Sequence, residues 1–221
     1  MTLTRTALAE LVGTAFLVAT VVGSGVMATR LTDDVGLQLL INSTATGAVL
    51  VALILALQPV SAAFNPVVTL VELVLGLVGA RAAACHIAAQ LGGGVLGAVL
   101  ANLMFDLDAV TIASTQRDGS HLLIAEVVAT LGLVVIIFGS VRSGRTETIA
   151  FAVGGYIAAA YWFTSSTSFA NPAVTLARMF SDTFAGIAPA SVPLFVLMQL
   201  IGGALALGLV HFLYPTPQES T

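Results

Sequence analysis

Charged residues are scarce in this sequence, and their scarcity excludes most classes of soluble protein. Only 8% of the 221 residues are charged, whereas 58% are hydrophobic, and the mean hydropathy is +1.05. A soluble globule of this size would need far more polar surface to face water. We therefore expect a protein that lies in a lipid bilayer.

Lysine is absent, and cysteine and histidine are rare. The seven cations are all arginines, scattered singly in a chain of net charge −4, so we expect no nucleic-acid partner. The lone Cys85 excludes an intrachain disulfide and is interpreted as a small apolar residue. His86, His121 and His211 have no cysteines or carboxylates around them at metal-ligand spacing. We therefore expect no metal site, no cofactor and no enzymatic activity.

Long apolar runs, each ending at charges or turn residues, predict six membrane-spanning helices. A helix needs about 20 apolar residues to cross the hydrocarbon core, and the short alternating segments of outer-membrane barrels are not found. Two further apolar stretches, 66–77 and 172–182, are too short to span and begin at prolines, which predicts re-entrant half-helices. The predicted spans are 6–29, 35–58, 82–105, 120–141, 147–166 and 191–214.

The arginines indicate an orientation. A cytoplasmic N-terminus places four arginines inside and three outside, in the direction of the positive-inside rule. Six spans then return the C-terminus to the cytoplasm. The inside group is Arg5, Arg81, Arg142 and Arg145, and the outside group is Arg30, Arg117 and Arg178.

The two halves of the chain repeat one another. Residues 9–14 (Ala-Glu-Leu-Val-Gly-Thr) recur at 125–130 as Ala-Glu-Val-Val-Ala-Thr, which places Glu10 and Glu126 at the same depth. The run that begins Gln-Leu at 90–94 recurs at 199–203. Each half holds three spans, and an odd number makes the second half enter from the opposite side. This predicts one transmembrane domain, 1–221, built as an inverted repeat of about 1–110 and 115–221.

A matched Asn-Pro motif lies between the second and third spans of each half. It reads Asn-Pro-Val-Val-Thr-Leu from Asn65 and Asn-Pro-Ala-Val-Thr-Leu from Asn171. Asparagine caps helices, and proline suits the first helical position, so each motif starts a half-helix. In an inverted repeat the two starts meet head to head, each with roughly half a positive charge that repels cations. The asparagine amides and the carbonyls of the preceding loops then offer hydrogen bonds to a neutral solute. The pore residues of the motifs are Asn65, Pro66, Val67, Asn171, Pro172 and Ala173.

On these motifs, the six spans and the Glu10/Glu126 pair, the sequence resembles the aquaporin or major intrinsic protein family over essentially its whole length. The resemblance implies an all-α hourglass of six tilted helices and two half-helices. It also implies a homotetramer in contact with lipid, with one passive pore for small uncharged solutes and water in each subunit. In the family the paired glutamates brace the pore loops; a proton-relay role is the alternative reading of Glu10 and Glu126.

The sequence departs from the family at the constriction. Val174 stands where the family usually has an arginine, and Val67 replaces an alanine. Alignment by spacing gives a broad, weakly polar filter, which favours glycerol-like solutes or metalloid hydroxides such as arsenous acid, with some water. The sequence at 171–178 resembles that of an aquaglyceroporin-like bacterial branch of the family that is associated with arsenic resistance. This resemblance implies a location in a bacterial inner membrane. The filter residues are Thr46, Ala159, Ser168 and Val174.

The Arg178 side chain has two expected placements. Arg178 lies one helical turn beyond Val174 and is expected either to project into the outer vestibule or to pair with Asp182 at i+4.

A water-selective aquaporin is the nearest alternative function. A coupled secondary transporter would need an ion site, for which Glu10, Glu126 and Glu72 are the few ionisable groups. A membrane enzyme or a structural junction protein is a more distant alternative.

Overall fold

The computed structural model describes residues 1–215, and the chain there folds into long helices and short ones. The predicted cytoplasmic C-terminus and the last residues of the second predicted repeat, 216–221, lie outside the described residues. The helices are α1 (Leu3–Leu31), α2 (Val35–Leu57), α3 (Pro66–Val74), α4 (Ala80–Met104), α5 (Ser120–Arg142), α6 (Ile149–Phe163), α7 (Pro172–Ala177) and α8 (Val192–Leu213).

Five of the long helices are long and apolar enough to cross a membrane: α1, α2, α4, α5 and α8 with the turn before it. The fifth predicted span, 147–166, is too long at both ends, because α6 has only 15 residues. A 3-10 turn at Thr146–Thr148 leads into α6. The helix ends at Phe163 because Thr164 adopts an extended backbone, and its hydroxyl donates to the Ala160 carbonyl over 2.6 Å.

The two short helices begin at the prolines predicted from the sequence and end earlier than predicted. The α3 helix stops at Val74 rather than near residue 77, and the Leu77 amide turns back to donate to the Glu72 carbonyl over 2.9 Å. The α7 helix stops at Ala177 rather than near 182 and tightens into a 3-10 turn at Arg178–Phe180. Asn65 and Asn171 therefore cap short helices that do not span a bilayer.

Corresponding helices of the two halves pack in corresponding pairs. The α1 helix packs along α4, and α5 packs along α8, while α2 lies along α6. Glycine allows this close approach: a Cβ on Gly93 of α4 would collide with the Leu11 carbonyl of α1, and a Cβ on Gly202 of α8 would lie 2.6 Å from the Val127 carbonyl of α5. Small residues at helix interfaces are what brings helices together in lipid, where burial of apolar surface gives no drive.

Polarity is distributed as in a membrane protein, with apolar side chains outside and polar ones inside. Large apolar side chains such as Phe16 and Phe151 are 60% exposed. Glu10, Glu126 and Gln90 are 0% exposed. Side chains of that kind are tolerated at membrane depth only when the protein itself supplies their hydrogen bonds. The chain is therefore an integral membrane protein whose polar interior holds the candidate site.

Candidate functional site

Asn65 and Asn171 meet head to head at the centre of the molecule. The Asn65 side chain accepts from the Val67 amide (2.9 Å), and the Asn171 side chain accepts from the Ala173 amide (2.9 Å), so each asparagine caps its own helix. Each side-chain NH₂ then crosses to the other half: Asn65 donates to the Ala170 carbonyl over 2.8 Å, and Asn171 donates to the Phe64 carbonyl over 2.7 Å. An amide NH₂ has two hydrogens, so one donor of each asparagine is left for another partner.

Buried carboxylates hold the two loops that lead into the asparagines. Glu10 accepts from the backbone amides of Ala63 (2.9 Å) and Phe64 (2.7 Å) and from the Ser61 hydroxyl. Glu126 accepts from the amides of Phe169 (2.9 Å) and Ala170 (3.0 Å). These bonds connect α1 to the first loop and α5 to the second in the same manner.

A glutamine and a threonine extend this network in each half. Gln90 donates to Glu10 (2.8 Å) and to the Thr69 hydroxyl (2.9 Å). Gln199 donates to Glu126 (2.6 Å) and to the Thr175 hydroxyl (2.8 Å). The sequence analysis noted the two glutamines only as marks of the repeat. Their matched position in both halves was the signal that they take part in the same network as the glutamates.

The loop residues before each asparagine adopt a backbone that side chains disfavour. Phe64 and Ala170, at equivalent positions, both have φ of 49°, and Ser168 and Thr167 have φ of 51° and 63°. The left-handed conformation costs roughly 1–2 kcal/mol for a residue other than glycine. The glutamate bonds to the amides of Phe64 and Ala170 offset this cost, so the loop carbonyls are held in fixed directions.

A cavity of about 400 Å³ runs past both asparagines and has a polar group at each end. Most of its wall is apolar and includes Leu17, Leu50 and Val153. We call one end the inner mouth; it is lined by Thr6, Glu72 and His86. We call the other end the outer mouth; it is lined by Thr46, Tyr161, Ser168, Phe169, Val174 and Arg178.

Three of the four predicted filter residues line the outer mouth, and the fourth does not. Thr46, Ser168 and Val174 are buried and face the cavity. The choice of Ala159 was wrong, because Ala159 is exposed on the outside of α6. Ile157 and Tyr161, four residues apart on the opposite face of that helix, line the cavity instead.

Tyr161 places a larger side chain in the outer mouth than the alanine of the predicted filter. Its hydroxyl lies 3.2 Å from the Thr46 hydroxyl, so a phenol and a branched aliphatic side chain, Ile157, stand where an alanine was expected. The Ser168 hydroxyl has no hydrogen-bond partner within the described residues, although it is buried. It is thus a buried polar group, on a residue that lines the cavity, that protein atoms leave unsatisfied.

Arg178 reaches the outer mouth, and its predicted alternative partner bonds elsewhere. The side chain is only 3% exposed; its Nε donates to the Ala185 carbonyl, and its guanidinium lies 3.4 Å from the centroid of the Phe169 ring. Asp182 accepts from the amide (2.8 Å) and the hydroxyl (3.0 Å) of Ser114. The i+4 pairing does not form because α7 has already ended at Ala177.

The inner mouth has an acidic residue at the position equivalent to Arg178. Glu72 follows Asn65 by seven residues, as Arg178 follows Asn171, and each lies one turn beyond the threonine of its short helix. His86 lies one turn before Gln90 on α4 and also lines the inner mouth. Its ring nitrogen Nε2 lies 2.8 Å from the Thr6 hydroxyl. The equal offsets in the two motifs could have identified Glu72 as a cavity residue from the sequence.

Comparisons with known proteins agree with this geometry. The family model for Major intrinsic protein matches residues 1–148 and 123–221, which together cover the whole chain. The chain belongs to the major intrinsic protein family. Among relatives in this family it is 49% identical to Aquaglyceroporin AqpS of Rhizobium meliloti (strain 1021) over 212 residues, which are 96% of this chain and 91% of that protein.

The fold of the family is found in a solved structure as well. The chain is similar to the X-ray structure of the aquaglyceroporin from Plasmodium falciparum, with a TM-score of 0.71 and 15% identity, over 94% of this chain and 95% of that one. At this identity the likeness concerns the fold alone. It confirms the predicted all-α arrangement of spanning helices and short helices.

Proposed function

We propose that the protein is a passive channel for small uncharged solutes, chiefly glycerol-like molecules and metalloid hydroxides such as arsenous acid, with some water. The observation that carries this proposal is the cavity that runs past both asparagines from the inner mouth to the outer mouth. The similarity to a protein named as an aquaglyceroporin supports the solute class. Conduction in this cavity needs no catalytic group and no cofactor.

The wall suits molecules that have both hydroxyl groups and an apolar surface. The apolar residues Leu17, Leu50 and Val153 favour a carbon skeleton, whereas the second amide hydrogens of Asn65 and Asn171 are donors for a hydroxyl oxygen. An ion would lose a hydration shell that these few groups do not replace. The channel therefore selects neutral solutes.

The outer mouth sets the size limit. Val174 lines this mouth and lacks the bulk and the charge of an arginine. The Tyr161 hydroxyl, close to Thr46, narrows the same mouth and is the specific observation that favours the second candidate, a water-selective aquaporin. Arg178 lines this mouth, where we propose that it acts as a vestibule cation in place of the missing arginine.

The remaining features are proposed from the resemblance. We take the whole chain, 1–221, as one channel domain with repeats of about 1–110 and 115–221, in a bacterial inner membrane with both termini in the cytoplasm. Glu10 and Glu126 brace the loops that expose Pro66, Val67, Pro172 and Ala173 beside the two asparagines. The exposed apolar surface faces lipid and, in a homotetramer, the neighbouring subunits. The mass of the detergent-solubilised protein tests the tetramer.

The deciding experiment compares fluxes of water, glycerol and arsenous acid through purified protein in liposomes under matched gradients. We expect rapid flux of glycerol and arsenous acid, and we expect Val174→Arg to suppress both while water still passes, because the larger charged side chain narrows the outer mouth. Val74→Arg is the matched control, since Val74 is 67% exposed at the end of α3 and does not line the cavity. Flux of water alone in the unmodified protein would support the second candidate and refute the first.

A further inference from the structure

Two arginines from distant parts of the chain lie against one aromatic ring beside the outer mouth. The Arg178 guanidinium lies 3.4 Å from the Phe169 ring centroid, and the Arg117 guanidinium lies 4.9 Å from the same centroid. Arg117 comes from the segment between α4 and α5, and Arg178 follows α7. Stacking on an aromatic face stabilises a guanidinium and fixes the direction of its donors.

Neighbouring backbone carbonyls hold the two groups side by side. Arg178 donates its Nε to the Ala185 carbonyl, and Arg117 donates its Nε to the Gly186 carbonyl over 3.0 Å. Each guanidinium uses its Nε in this way, so its two terminal NH₂ groups are left for other partners. Because both guanidinium carbons lie within 5 Å of the same Phe169 ring centroid, the two cations are near enough to contact one small anion.

Neither cation has a carboxylate partner in the part of the chain that the structure describes. The nearby acidic side chains bond to hydroxyls and amides instead: Asp182 accepts from Ser114, and Asp118 accepts from the Ser191 hydroxyl over 3.1 Å. Burial lowers the pKa of the Arg117 guanidinium below its usual value, with the Glu126 carboxylate acting in the opposite direction. Two partly desolvated cations without a counterion are costly, and a bound anion would offset that cost.

We propose that Arg117 and Arg178 form a binding site for a small oxyanion, such as phosphate, sulfate or arsenate, at the outer mouth of the cavity. Paired guanidiniums present parallel N–H donors that match the oxygens of such an anion. Arg178 is 3% exposed and lines the cavity, so a free anion would reach it through the outer mouth. The site extends beyond the conduction of neutral solutes and does not depend on it.

The test is a direct binding measurement on the purified full-length protein in nanodiscs. Sodium phosphate, sulfate and arsenate are titrated at constant ionic strength against chloride, with isothermal titration calorimetry as the readout. Nanodiscs of neutral lipid and of anionic lipid are compared, because only a site for lipid headgroups would be saturated by the anionic lipid. We expect saturable binding of the free oxyanions in both lipids. The absence of saturable binding in the unmodified protein would overturn the proposal, whatever the variants do.

Two substitutions test whether the anion binds at this arginine pair. Arg117→Gln removes one cation and should weaken the binding about tenfold, since a hydrogen bond to a charged group contributes on that scale. Arg30→Gln is the matched control, because Arg30 also stacks on a phenyl ring, that of Phe105 at 5.1 Å, but has no second arginine beside it. Equal affinities in Arg117→Gln and Arg30→Gln would overturn the assignment. Neutral-solute flux is measured separately. A failure of the proposed channel function can therefore be told apart from a failure of the proposed anion site.

Discussion

Replacing Glu126 by glutamine tests how the loop before Asn171 is held. The carboxylate accepts three buried hydrogen bonds, from the amides of Phe169 and Ala170 and from the Gln199 side chain. Glutamine keeps one oxygen, which can satisfy at best the Ala170 and Gln199 donors. Its NH₂ group then faces the Phe169 N–H, so two donors are opposed in a site with no exposure.

The expected loss of stability follows from those three hydrogen bonds. A hydrogen bond to a charged acceptor is worth about 1.5–3 kcal/mol, and an unsatisfied buried donor costs about 1–3 kcal/mol, so the free energy of unfolding should fall by about 3 kcal/mol. For a chain of this size that corresponds to a melting temperature lower by about 6–12 °C. Glycerol flux should fall as well, because the left-handed backbone at Ala170 is no longer held.

The assay is thermal unfolding of the detergent-purified variant, followed by liposome flux. Glu147→Gln is the matched control: Glu147 is exposed in the turn before α6, and its substitution should change stability by no more than about 0.5 kcal/mol. If Glu126→Gln melted within about 2 °C of Glu147→Gln, the reasoning from the hydrogen bonds would be refuted. The equivalent substitution, Glu10→Gln, should behave as Glu126→Gln does.

Two further pairs of substitutions test the packing and the corrected filter. Ile157→Phe should lower glycerol flux several-fold relative to water flux, whereas Ala159→Phe, on the exposed face of α6, should leave the ratio unchanged; the opposite ranking in stopped-flow measurements would restore the original alignment. Gly93→Ala should destabilise the protein by about 1–3 kcal/mol, because its Cβ would overpack against the Leu11 carbonyl. The neighbouring Gly92→Ala meets nothing within 4 Å and should be neutral or slightly stabilising, so equal melting temperatures for the two variants would contradict the packing argument.

The charges at the two mouths are related by the repeat in position and opposite in sign. Glu72 and Arg178 occupy the same offset in the two Asn-Pro motifs, and each lines its own end of the cavity. The two mouths are thus electrostatically different, although the hydrogen-bond networks of the glutamates are alike. An anion is attracted to the outer mouth.

The sequence by itself determined the elements that depend on local chemistry and on repetition. Scarce charge and long apolar runs place the chain in a bilayer, and the Asn-Pro pairs start both short helices at the predicted prolines. The family resemblance implied that the repeated glutamates brace the pore loops, and in the structure both bond to those loops. These features follow from residues that are close in the chain or matched between its halves.

Only the tertiary structure decided which side chains face the cavity and which groups meet across the chain. The rotation of α6, which turns Ile157 and Tyr161 inward and Ala159 outward, is set by the contact of Gly154 with Gly47 of α2, where a Cβ on either glycine would meet the backbone of the other. Arg117 lies beside Phe169 because backbone bonds join residues 111–115 to 179–188. Helical periodicity gives the spacing of a face, but not the direction in which it points, because that direction depends on packing against helices far away in the sequence.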